Sequence, residues 1–155
     1  MGLGSEQGQK GKIKMKRILL SILVIGIFLL GACGVEQVII PQSAIDEIYA
    51  ISQDEIVSRH IEVTRVEDKS GYCYIMIDIR YIPELITNLE DAFTQAEIYT
   101  NAVAQDTVKI LNKHGIDEDV SVWAELPLGN NEVALLGNTW YDAELKSYNF
   151  KRYKP

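Results

Sequence analysis

The stretch Tyr72–Tyr81, YCYIMIDIRY, leaves this chain the least conformational freedom. Cys73, Ile75, Ile77 and Ile79 fall on one side of it, and Tyr74, Met76, Asp78 and Arg80 on the other. A period of two belongs to a strand, and β-branched residues at alternate positions favour one further. The Ile side belongs in a core, so Cys73 is expected buried, as an inert hydrophobe rather than a reactive thiol. Upstream, Ile61, Val63 and Arg65 alternate with Glu62, Thr64 and Val66, and Asp68-Lys69-Ser70-Gly71 between the runs is turn chemistry. The two runs predict an antiparallel hairpin. Ile82-Pro83 ends it.

The same period returns later. Val120, Val122, Ala124 and Leu126 alternate with Ser121, Trp123 and Glu125; Gly129-Asn130-Asn131 signals a turn. Glu132–Tyr141 follows as a strand weakened at Gly137, then a turn at Asp142-Ala143-Glu144 and a last strand over Leu145–Tyr153. Between the two strand regions the period is helical. Leu89, Phe93, Ala96, Val103 and Ile110 form a stripe, interrupted by Thr100 and Thr107. Thr87-x-x-Glu90 reads as a capping box, and Gly115 suits a left-handed C-cap, so one long helix is expected over about 88–113. A shorter helical stretch begins at Ser43, with Ile45, Ile48 and Tyr49 at helical spacing and Ile56 near the same face. Ser52-x-x-Glu55 is a second cap signal, which leaves open one helix or two short ones. The fold class expected is α+β, in the order α-ββ-α-βββ: an antiparallel sheet of hairpins with one long and one or two short helices packed on one face.

The N-terminal segment sets where such a domain works. Lys16-Arg17 precedes Ile18–Leu30, thirteen residues without a charge. As a helix that run is about 20 Å long, short of a ~30 Å hydrocarbon core, but it has the size of a signal-peptide h-region behind a basic n-region. It ends in Leu30-Gly31-Ala32-Cys33. This ordering resembles the lipobox of bacterial lipoprotein signal peptides. The resemblance covers residues 15–33 and implies diacylglyceryl attachment to the Cys33 thiol, with cleavage between Ala32 and Cys33. The alternative is an uncleaved anchor, since the uncharged stretch runs on to Val35. Either way the basic flank stays inside and the domain faces outward, extracellular or periplasmic. Met15-Lys16-Arg17 is a compact n-region by itself, so Met15 is an expected start, with a long n-region from Met1 as the other reading. N-myristoylation at Gly2 is rejected, because Glu6 stands where Ser or Thr is needed. The expected organisation is a signal peptide over 1–32 (its core 15–32), a lipidated tether over 33–42 and one domain over 43–155.

Charge narrows the partners. The net charge of −7 is uneven: residues 1–32 hold five Lys and Arg against Glu6 alone, so the remaining chain holds ten against twenty-one Asp and Glu. An acidic domain excludes nucleic acid as the expected partner, and attachment to the membrane falls to the lipid on Cys33. With Cys33 acylated, Cys73 has no partner for a disulfide.

No residue pattern specifies catalysis. His60 and His114 are far apart in sequence, and HExxH, CxxC, phosphate-loop and nucleophile-elbow motifs do not occur. Asp117-Glu118-Asp119 lacks the spacing of a calcium loop and reads as a solvated turn. No cofactor or metal is expected. The aromatic residues are more suggestive. Trp140, Tyr141, Tyr148, Phe150 and Arg152 form a C-terminal set in which rings and cations interleave, the residue types that anchor partners. The plainer reading is a terminal strand with cross-strand aromatic pairs. The function expected is a binding or accessory module tethered outside the membrane, acting on a protein or envelope component. A small cell-envelope hydrolase or cell-wall enzyme is the alternative.

Overall fold

A computed structural model describes residues 39–69, 71–80 and 86–153. The lipobox-like segment, Ser70, the Ile82-Pro83 strand end and Lys154 lie outside the described residues. The elements are α1 (Gln42–Ala50), two 3-10 turns (Ile51–Gln53 and Val57–Arg59), β1 (Ile61–Lys69), β2 (Tyr72–Ile79), α2 (Leu89–Lys113), β3 (Asp119–Gly129), β4 (Glu132–Asp142) and β5 (Ser147–Arg152). The α+β class and the chain order follow the sequence pattern. The short helical stretch is one α-helix followed by two 3-10 turns. It begins after Pro41, one residue before Ser43, with no side-chain cap. Proline's fixed φ suits that entry, and its carbonyl accepts the Ala44 N–H at 2.9 Å.

The strands form one five-stranded sheet in the order β1-β2-β3-β4-β5. Three of its four pairs are antiparallel, as the turns require: β1 with β2, β3 with β4, and β4 with β5. The fourth, β2 with β3, is parallel, from Tyr72 opposite Asp119 to Asp78 opposite Glu125. The sheet is therefore mixed at one junction. Parallel neighbours need a crossover, and α2 supplies it. Its 25 residues make a rod of about 38 Å.

Both helices lie on one face. α2 runs mainly over β3 and β4, while α1 covers β1 and touches α2. Cys73, Ile75, Ile77, Ile79, Val120, Val122 and Ala124 point beneath them and are at most 1% exposed. Burying each such Ile or Val stabilises the fold by roughly 1.5–3 kcal/mol. In β1 the alternation shifts. A bulge between Val63 and Arg65 takes up Thr64, so Val66 turns inward and Arg65 outward. The outer edge of β1 is also bonded: Val63 N–H donates to Ser52 Oγ at 3.1 Å and Val66 N–H to Tyr49 Oη at 3.1 Å. These contacts occupy an edge that would otherwise offer itself for pairing.

The two threonines that interrupt the α2 stripe lie inside it, each fully buried. The Thr100 hydroxyl reaches the Ala96 carbonyl at 2.7 Å and Thr139 Oγ1 of β4 at 2.7 Å, and Thr139 also lies 3.2 Å from Asn101 Oδ1. These bonds offset the cost of burying the Thr100 hydroxyl, whereas Thr107 Oγ1 is buried without a partner among the described residues. The N-terminus of α2 is capped one residue later than the sequence suggests. Asn88 Oδ1 accepts the Asp91 N–H at 3.0 Å, and Asp91 accepts the Thr87 N–H in return. Thr87's hydroxyl bond and these contacts hold the Asp91 carboxyl below its usual range. At the far end Gly115, at φ 75°, lets its own N–H and that of Ile116 return to Asn112 and Leu111.

Ile40, which the sequence assigns to the tether, is part of the core at 3% exposed, and its N–H donates to Asp68 Oδ2 at 3.0 Å. The folded segment thus begins before residue 43.

Gly137 weakens β4 for a packing reason. A Cβ there would stand 2.6 Å from the Lys151 carbonyl oxygen and 2.8 Å from the Phe150 ring. The ring lies on the bare backbone. Gly137→Ala should therefore destabilise the protein by about 1–3 kcal/mol through overpacking. Urea unfolding measures this; an unchanged midpoint would contradict the contact.

Candidate functional site

Alternation sorts the C-terminal aromatic set onto two faces. Thr139 bonds to α2, so its cross-strand partner Phe150 shares the helix side. Arg152 is there too: it pairs with Glu90 of α2 at 2.5 Å and lies 5.3 Å over the Phe93 ring. Tyr141 and Tyr148 meet at 4.7 Å with tilted rings on the same side, where Tyr141 is 3% exposed. Trp140, between Thr139 and Tyr141, points the other way. The five residues do not form one surface; four brace the helix layer and only Trp140 reaches the opposite face.

That opposite face has its own aromatic layer. Tyr72 meets Trp140 at 5.3 Å, Tyr74 meets Trp123 at 6.4 Å, and Trp123 meets Tyr153 at 5.2 Å. These rings come from β2, β3, β4 and the residue after β5. They meet because β2 and β3 are neighbours, which sets Tyr74 opposite Ser121 and Met76 opposite Trp123. The rings lie over the sheet, since Ser121, Met76 and Asn138 beneath them are buried although no helix among the described residues covers them. Trp123 Nε1–H donates to Ser121 Oγ at 2.8 Å, which fixes the indole. Lys69 Nζ sits 5.8 Å from the Tyr74 centroid and Lys151 Nζ 5.7 Å from that of Tyr153, so these ring faces already attract cations. The signal for this layer is in the sequence, in the half of each alternation that faces away from the Ile and Val side.

One end of the open face is acidic. Glu62, Asp78 and Glu125 stand side by side on β1, β2 and β3. Partial burial and then Glu62 raise the Asp78 carboxyl above its usual range. Arg80 relieves the row by reaching Glu62 at 3.3 Å.

The two histidines and the acidic turn take separate contacts. His60 stacks on Tyr99 at 5.5 Å. His114 Nε2 lies 3.1 Å from Glu47, which also accepts from Lys113 at 2.9 Å; the bond from Lys113 and then that from His114 hold the Glu47 carboxyl low. The acidic turn divides: Asp117 pairs with Lys146, Asp119 accepts the Ala143 N–H, and Glu118 is raised by burial and then by Asp68 and Asp119. A shallow groove of about 630 Å³ lies between the 3-10 turns and α2, lined by Ile51, Ile56, Val57 and Ile110. Its polar residues are taken up locally: Asp54 caps the turn through Ile56 N–H, and Asp106 pairs with Lys109. Among the described residues no three His, Cys, Asp or Glu are placed to hold a metal ion, and no helix is long and apolar enough to cross a membrane.

Comparison with known proteins finds nothing: no family model matches the chain, and no curated protein or solved structure is significantly similar to it. The functional reading rests on the chain's own chemistry.

Cys73 lies fully buried in the helix-side core, and burial pushes its thiol up to about 12. A thiol raised in the folded state stays protonated there, so the stability tied to it is present below the unfolded value near 9.0 and is lost as pH rises toward 12. The thiolate is the reactive form. A thiol reagent at about pH 8, below the usual thiol range, should leave Cys73 unlabelled until denaturant is added, as mass spectrometry would show; rapid labelling of the folded protein would contradict its placement.

Proposed function

We propose that this chain is an outward-facing bacterial lipoprotein, held to the membrane through acyl chains on Cys33, whose domain is a binding or accessory module for an envelope component. The anchor rests on the ordered signal that ends at Ala32-Cys33. A single acyl chain holds a protein only marginally, so two or more chains are expected on the cysteine. The binding role rests on one observation above the others: five aromatic rings from four parts of the chain gather on the sheet face that no helix covers among the described residues. Rings of Trp and Tyr supply large contact area at low entropic cost, and they are the residues that carry binding energy at interfaces. Confinement by the anchor raises the effective concentration of that face against its neighbours, so modest intrinsic affinity suffices.

Anchor and face are tested together in cells. A photo-crosslinking residue placed at Tyr74 should capture an envelope component, and one at exposed Ile98 on the outer side of α2 should capture none. In the Cys33→Ser background the chain should accumulate as unprocessed precursor or be released, and the Tyr74 adduct should fall away. Normal processing and retention of Cys33→Ser would remove the lipoprotein reading. Adducts from position 98 with none from position 74 would remove the open face.

A further inference from the structure

We infer that the partner of the open face is a basic protein segment, laid in extended form across the rings with Arg or Lys at each end. This rests on the reading of that face as a binding surface and names the chemistry of what it binds. The first support is charge. Glu62, Asp78 and Glu125 form the row at one end. The other end is acidic as well: alternation puts Glu67, Asp119 and Asp142 on the same face, beside Tyr72 and Trp140. The domain's own cations neutralise part of this. Arg80 reaches Glu62, and Lys69 pairs with Glu67. Arg65 and Lys151 stand at the side edges, at either end of the row through Met76, Trp123 and Asn138, and Lys146 is held by Asp117. Among the described residues Asp78 and Glu125 have no ion pair, and Asp119 and Asp142 accept backbone N–H groups, from Ala143 and Leu145. Each end therefore keeps two carboxylates on neighbouring strands, about 5 Å apart. Like charges set opposite one another cost stability, and a cation from outside relieves both pairs. An anionic surface or a second copy of this face adds to the repulsion instead.

The second support is the rings between the two ends. A cation over a Tyr or Trp face is attracted by the ring. Two rings already show it, Tyr74 with Lys69 at 5.8 Å and Tyr153 with Lys151 at 5.7 Å. No cation among the described residues lies over the indoles of Trp123 and Trp140, and Trp attracts cations best. Arg suits them, since its planar guanidinium stacks on a ring and also pairs with a carboxylate. The third support is length. Asp119 and Glu125 lie six steps apart along β3, about 20 Å. A small organic cation spans one end alone, and small ligands are held in concave sites rather than on a sheet surface. An extended segment of about seven residues reaches both ends.

The only two tryptophans of the chain, Trp123 and Trp140, both lie on this face, so intrinsic fluorescence reads it directly. The full chain in neutral detergent is titrated with a peptide of alternating Arg and Ser, about eight residues long. The emission should change saturably, and less steeply as salt rises. A peptide with citrulline in place of Arg, equal in shape but uncharged, should leave it unchanged. Asp78→Asn/Glu125→Gln should weaken the affinity roughly five-fold, the effect of two exposed charge pairs. The urea midpoint of that variant, expected at or above that of the parent chain because like charges leave the row, separates lost binding from lost folding. Glu97→Gln/Asp106→Asn removes as much charge from α2 and should change the affinity by less than about two-fold. Equal weakening by the two double variants would mean attraction to net charge alone and would overturn the inference, as would a citrulline peptide that binds as well as the Arg peptide. Emission that ignores the Arg peptide, while a crosslinker at Tyr74 still captures a lipid or a glycan in cells, keeps the binding face and removes the basic partner. No response to the peptide and no adduct from position 74 removes both.

Discussion

The parallel register of β2 against β3 is the constraint from which the rest of this fold follows. Two strands side by side in the same direction cannot be joined by a turn. The chain must leave the end of β2, travel back along the sheet and re-enter, and α2 is that return path. It lies on one side only, over β3 and β4, and α1 fills the space beside it over β1. With both described helices on one side, the other side of all five strands has no helical cover among the described residues. The same pairing that forces the crossover also sets Tyr72, Tyr74 and Met76 alongside Asp119, Ser121 and Trp123. One junction therefore creates both the buried core and the uncovered aromatic layer.

The two faces are held together differently. The helix side is apolar packing with a few satisfied polar links, of which the contact between Thr100 and Thr139 is the most central; it ties α2 to β4 at 2.7 Å. Phe150 lies on the bare backbone of Gly137, and Arg152 closes the edge against Glu90 and Phe93. On the open side the rings touch one another and screen Ser121 and Asn138, but they rest on the sheet with nothing above them among the described residues. Removing the Trp140 ring there forfeits one aromatic pair, worth about 0.5–1.5 kcal/mol beyond its area. Residues placed so are free to serve contact with something outside the domain.

Much of this is legible in residue order. The Cys73–Ile79 alternation places Cys73 in the core, the turns at Gly71 and Gly129 place two hairpins, and Gly115 ends the long helix. What periodicity does not carry is partner choice: neither Ile75 nor Val122 reveals that its strands are neighbours, and still less that they run parallel. The β1 bulge at Thr64 reverses the parity of Arg65 and Val66, a one-residue event with no mark of its own in the sequence. The C-terminal aromatic set does not hold as a surface, for a reason that residue order contains. Trp140 and Tyr141 are consecutive in a strand and must face opposite ways. Proximity in sequence is not proximity in space. The residues that do meet Trp140, from β2, come together only once the sheet order is known.

The division between a structural face and an uncovered one is sharpest at those two neighbours. The direct measurement is the unfolding free energy of the full chain carrying Trp140→Ala or Tyr141→Ala. Tyr141, 3% exposed among the helix-side rings, should cost about 3–5 kcal/mol when truncated, and Trp140 about 1–2 kcal/mol despite its larger side chain. Equal losses, or a greater loss at Trp140, would mean that the open face is part of the core and would contradict the account.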